Sequence, residues 1–165
     1  MKFFYKIMIL LIVMSSILPG TKQVNANKKE FLRIEGYKPN QTVKQIPYLT
    51  DIFQVSTNQI LVTFDSQVDI NLGTKASFYW IQSLSDTIPT GIASLGSKSQ
   101  FNARNALSTN QVTITKVQGD NNSFLFTFKQ EIPSNKRFKL AVRHLHAPGG
   151  KPFGGTNGMK EFTGK

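Results

Sequence analysis

The chain has 165 residues, a formal net charge of +11 and no cysteine. That length holds one domain with a real core and little more. The absence of cysteine excludes a disulfide scaffold, a cysteine nucleophile and a lipid-modified cysteine, so an exported domain of this sequence holds together by core burial alone.

The chain opens "MKFFYKIMILLIVMSSILPGTKQVNANKKE". Lys2 and Lys6 form a basic start, and Ile7 to Leu18 is an apolar run of signal-peptide length, short for a membrane span. Val24-Asn25-Ala26 fits a cleavage site after Ala26. Residues 1–26 are therefore expected to be a signal peptide. Its removal takes three lysines and no acid from +11 and leaves +8. Neither a second long apolar run nor a sorting pentapeptide of the LPxTG kind follows. Residues 27–47 are polar and basic with little periodicity and read as an arm or linker, with one short strand possible over 31–34.

From about Tyr48 the texture becomes that of strands, and residues 48–165 read as one domain. In "DIFQVSTNQILVTFDSQVDI" two apolar runs flank Ser56-Thr57-Asn58, a turn signal, and Ile60, Val62 and Phe64 alternate with Leu61, Thr63 and Asp65. "SFYWIQS" reads as a strand with Phe78 and Trp80 on one face. Tyr79 then lies on the other face, where it could stack on a ligand. "GIASLG", 91–96, reads as a short strand, and "SQFNARNAL", 99–107, as a short helix. "QVTITKVQGDNNSFLFTFKQEI" is a hairpin around Gly119-Asp120-Asn121-Asn122. "KRFKLAVRHLH" follows a turn at Pro133-Ser134-Asn135, and "MKEFTGK" reads as a last edge strand. Some seven short strands at spacings of about 8–12 residues predict an antiparallel β-sandwich.

At "ILVTFDSQVDI", "ASFYWIQS", "VTITKV" and "FLFTFKQEIPSNKRFKLAV" the chain resembles the bacterial immunoglobulin-like domains of S-layer and other cell-surface proteins. The resemblance runs from about Asp51 to Lys165 and implies an all-β, immunoglobulin-like sandwich that acts as a spacer or binding module. The chain departs from the pattern at Gln67, where proline is common, and at Ser134-Asn135, where glycine is usual. The acidic loop of that pattern is here "HAPGGKPFGG", so a calcium role does not carry over.

Two features carry candidate chemistry. His144 and His146, the only histidines, lie two apart on an extended strand, with Cα atoms about 6.5–7 Å apart. They continue the core-facing row of Phe138, Leu140 and Val142, as rim residues or as two ligands of Cu or Zn that would need a third and a fourth. The opposite face carries Arg137, Lys139 and Arg143, with Lys136 beside it, Lys129 able to join from the preceding strand, and Lys151 on the glycine-rich loop. Outside a cell such a face attracts anionic cell-wall or matrix polymers. Nucleic acid is disfavoured, because alternation commits the aromatics to the core and leaves no stacking platform.

No G-x-S-x-G elbow, H-E-x-x-H or acid pair is evident, which argues against an enzyme. The sequence thus predicts a secreted, non-catalytic binding module, extracellular or wall-associated, or periplasmic in a two-membrane cell. Lys136, Arg137, Lys139, Arg143 and Lys151 are its contact residues. The alternatives are a Cu- or Zn-binding protein using the two histidines, and a module that binds or inhibits a surface protein.

Overall fold

The computed structural model of the protein describes residues 45–165. The expected signal peptide and nearly all of the expected arm lie outside the described residues. Seven strands form two antiparallel sheets. One contains β1 (Leu49–Ser56), β2 (Gln59–Phe64), β4 (Val112–Lys116) and β5 (Ser123–Phe128), in the order β1-β2-β5-β4. The other contains β3 (Tyr79–Ser83), β6 (Arg137–Arg143) and β7 (Thr156–Thr163), in the order β3-β6-β7. One helical turn, α1 (Ile70–Gly73), and two 3-10 turns, Ala76–Phe78 and Ala103–Asn105, are the helical elements among the described residues. None of these helices is long and apolar enough to cross a membrane.

The period of two in the sequence decides which side chains meet. Ile60, Val62 and Phe64 of β2, Phe124, Phe126 and Phe128 of β5, and Phe138, Leu140 and Val142 of β6 are all buried in one cluster. Register places Ile60 and Ile114 on either side of Phe126. Between the sheets, Tyr79 meets Phe126 edge to face at 4.9 Å, an arrangement aromatic quadrupoles favour. Tyr79 is therefore fully buried, and its hydroxyl donates to the Gly73 carbonyl at 2.7 Å. This corrects the reading of Tyr79 as an outward-facing stacking residue.

Local chemistry explains the turns. Ser56-Thr57-Asn58 joins β1 to β2, and the Asn58 amide donates to the Phe128 carbonyl at 2.9 Å. In the β4–β5 hairpin, Gly119 takes φ 79° and the Asp120 carboxylate accepts from the Asn122 N–H at 2.7 Å. Asn135 adopts φ 62° ahead of β6; asparagine tolerates this left-handed region better than most residues.

Three expectations need correction. Phe78 ends a 3-10 turn, so the strand begins at Tyr79. Residues 91–96 form no strand: Leu95 makes a single parallel bridge to Gln82 at the open edge of β3. Gly91 at φ 58° bends the chain before Leu95, and Gly96 packs too close to the Thr87 carbonyl to carry a Cβ. Residues 99–107 form only the turn at Ala103–Asn105. There Asn102 and Asn105 cap each other's backbone, with Asn102 N–H to Asn105 Oδ1 and Arg104 N–H to Asn102 Oδ1 both at 2.9 Å. Such local bonds compete with helix propagation.

Candidate functional site

The outer face of β3 would meet solvent in a bare sandwich. Here all five of its residues are buried, because the long connection 84–111 folds over it. Three bonds to one side chain hold the cover down. The Gln82 amide lies 3.3, 3.2 and 3.2 Å from the carbonyls of Gly96, Ser97 and Ser99. Beside it, Trp80 Nε1 donates to the Asn102 carbonyl at 2.8 Å. Trp80, Leu95 and Ala141 form a second apolar cluster, against which Phe101 and Ala106 pack. Connections of this length are uncommon unless they serve binding.

This cover divides the predicted basic row. Ala141, between Lys139 and Arg143 on the outer face of β6, is sealed under it. Below the seal the cations have acidic partners. Register sets Glu161 of β7 opposite Lys139, and its carboxylate binds Arg137 at 2.8 Å and Lys139 at 3.3 Å. Lys136 pairs with Asp86 at 2.9 Å. Above the seal, Arg143 is exposed and has no ion pair among the described residues. The same holds for Lys151 on the loop between β6 and β7, whereas Phe153 beside it is half-buried against Gly155 and does not project freely. Lys129 cannot join the row, since it follows β5 in the other sheet and its N–H donates to the Gln111 carbonyl.

Hydrogen bonds from Arg137 and then Lys139 hold the Glu161 carboxyl below its ordinary range, and a bond from Lys136, then Thr90, does so for Asp86. A depressed folded-state value contributes stability above the unfolded value, near 4, that is lost as pH falls through the folded value. The urea midpoint should therefore drop as pH falls below the ordinary carboxylate range, near 4, and drop less in an Asp86→Asn/Glu161→Gln double variant. Identical drops would show that these pairs are energetically silent. All five ion-paired side chains are partly or largely exposed, so solvent keeps the difference small.

The histidines do not continue the core row. β6 stops at Arg143, and His144 turns into the left-handed region at φ 68°. That turn gives the buried slot to Leu145. The His144 ring packs on Phe78, with centroids 5.3 Å apart. His146 Nδ1 lies 2.9 Å from the Ala147 carbonyl, and its own carbonyl accepts from the Asp69 N–H at 2.9 Å. Neither ring bonds a hydroxyl or a carboxylate among the described residues. Among the described residues, no group of three or more His, Cys, Asp or Glu side chains gathers as metal ligands.

What does converge is a cleft of about 380 Å³ lined by Phe78, Trp80, Phe101, Asn102, Arg143 and His144, with Ser77 and Ala103 completing it. Lys75 flanks it, its ammonium 4.6 Å from the Phe78 ring centre. Of the predicted site residues, only Arg143 and His144 line it. Phe78, Phe101 and Asn102 were not anticipated as site residues, because the loop that brings them together carries no local motif. Asn157 was also missed. Buried behind the β6–β7 loop, it accepts from the Leu145 N–H at 2.9 Å and donates to the carbonyls of Pro47 at 2.8 Å and Leu145 at 3.0 Å.

No family model matches this chain, and no curated protein matches it. Among solved structures, domains 1–6 of the surface layer protein SbsC align with it at 15% identity and a TM-score of 0.48, covering 72% of this chain and 14% of that one. The N-terminal part of the bacterial S-layer protein SbsC gives 16% and 0.47, covering 72% and 23%. This chain spans less than a quarter of either. A likeness of this size assigns it neither ligand nor activity.

Proposed function

We propose that this is an exported, non-catalytic surface module with an immunoglobulin-like fold, which attaches to anionic polymers of the cell envelope or matrix. The order β1-β2-β5-β4 over β3-β6-β7 supports the fold reading, because it is the order of a seven-strand immunoglobulin sandwich. The net charge of +8 left once residues 1–26 are removed supports attraction to polyanions in general. The observation that carries the reading is Arg143, an exposed guanidinium without an acid partner among the described residues, on the rim of a preformed cleft. Lys151 likewise has no acid partner among the described residues. Lys136, Arg137 and Lys139 contribute less, because a polymer must compete with Asp86 and Glu161 for them.

The test is sedimentation of the purified protein with isolated cell walls in NaCl from about 0.05 M to about 1 M, over which the screening length shrinks to about 3 Å. The protein should pellet at low salt and stay in solution at high salt. Protein that stays in solution at every salt contradicts the reading.

A further inference from the structure

We infer that the Arg143 cleft is a subsite for one acidic sugar residue, a pyranose ring bearing a carboxylate. This rests on the polyanion reading above and narrows it to one place and one ligand class. Three observations converge. First, the cleft's volume of about 380 Å³ falls within the roughly 300–1,000 Å³ typical of small-ligand sites.

Second, its walls combine two chemistries. Phe101, and the part of Phe78 left beside Lys75 and His144, offer apolar surface for the C–H face of a sugar ring. Arg143 on the rim offers a planar fork of donors that matches a carboxylate bidentately. Ser77 is exposed at the wall and its hydroxyl makes no bond to the described residues, leaving it for a ring hydroxyl. A polyphosphate chain would be matched by a row of cations. Here Arg143 stands beside aromatic rings, the Lys75 ammonium is already placed over the Phe78 ring, and the cations farther along β6 are paired.

Third, the protein maintains the cleft at a cost. His144 holds a left-handed backbone at φ 68°, worth about 1–2 kcal/mol for a residue with a side chain. The outcome is a His144 ring on Phe78 at the cleft wall and Leu145 in the core. The Gln82 and Trp80 bonds fix the opposite wall. Strain of this kind clusters at binding sites.

Trp80 is the only tryptophan in the chain and it lines the cleft, so its fluorescence reports occupancy. The full chain is titrated with a galacturonic acid tetramer, a glucose tetramer and inorganic tripolyphosphate. The expected result is a saturable emission change with the galacturonate and none with the glucose. Arg143→Ala should weaken the galacturonate response at least about 10-fold, the cost of one charge-assisted contact. Ala103→Glu, an exposed change at the same cleft, should weaken it as well by repelling the carboxylate. An equal response to tripolyphosphate overturns the sugar assignment in favour of charge alone. An unaltered response in both variants overturns the site. Silent Trp80 emission with walls still pelleting the protein overturns the cleft while leaving the surface-module reading intact. Silence in both assays removes both.

Discussion

Replacing Phe126 by alanine should remove about 3–5 kcal/mol of stability, the usual cost of emptying a large aromatic site. Phe126 is wholly buried on β5, a strand flanked on both sides by hydrogen-bonded partners. Neighbouring strands pinned in register cannot collapse into the void. The substitution also removes the edge-to-face contact with Tyr79 that joins the two sheets. Domains of this size are stable by only about 5–15 kcal/mol, so the variant should be close to unfolding at 37 °C. Urea denaturation followed by circular dichroism measures the loss. Phe53→Ala, at a side chain 54% exposed on β1, is the control and should stay within about 0.5 kcal/mol of the parent. A loss below about 1 kcal/mol at Phe126 would mean that the two sheets do not share one core.

Gly73→Ala should also be destabilising, by about 1–3 kcal/mol, against the usual sign. Glycine to alanine in a helical turn is ordinarily neutral or favourable by up to about 1 kcal/mol. Here a Cβ on Gly73 would lie 2.1, 2.4 and 2.8 Å from three ring atoms of Phe124. That ring is fully buried and packed edge-on against Phe64, so it has nowhere to go. Overpacking of this kind costs about 1–3 kcal/mol. If α1 lifts instead, the Tyr79 hydroxyl loses the Gly73 carbonyl it bonds, and an orphaned buried hydroxyl costs about 1–3 kcal/mol. The same urea experiment reads the sign. A stabilised variant would place Phe124 elsewhere.

The strands with one buried face were legible from the sequence, because alternation is a local signal. β2 and β5 appear where Ile60-Val62-Phe64 and Phe124-Phe126-Phe128 predict them. The exit from β6 was not legible. In "VRHLH" the period of two puts His144 and His146 inward, and only the left-handed turn at His144 gives that place to Leu145. Histidine is over-represented at positive φ, yet such residues are few, so the residue type alone does not announce the turn. The cover on β3 was hidden for another reason. "YWIQS" looks like any strand, and what seals its outer face lies up to about twenty residues along in a loop whose packing depends on Gln82 and Trp80. The neutralised half of the basic row depends on strand register. Lys139 meets Glu161 only because β6 and β7 pair as they do. Composition reported the charge and could not report which cations were already spoken for.

The central claim is that Arg143 anchors the module to an anionic polymer. The most direct measurement sets Arg143→Glu beside Lys139→Glu in sedimentation with cell walls at about 0.05 M NaCl, where screening is weak. Both replace a cation of β6 by an acid and change the net charge equally. The account predicts that Arg143→Glu loses at least about 10-fold in affinity, the scale of a charge-assisted contact. Lys139→Glu should lose no more than about 3-fold, since its ammonium is shared with Glu161 and exposed pairs contribute little. Equal losses would mean that net charge alone holds the protein to the wall and that Arg143 has no special place in it.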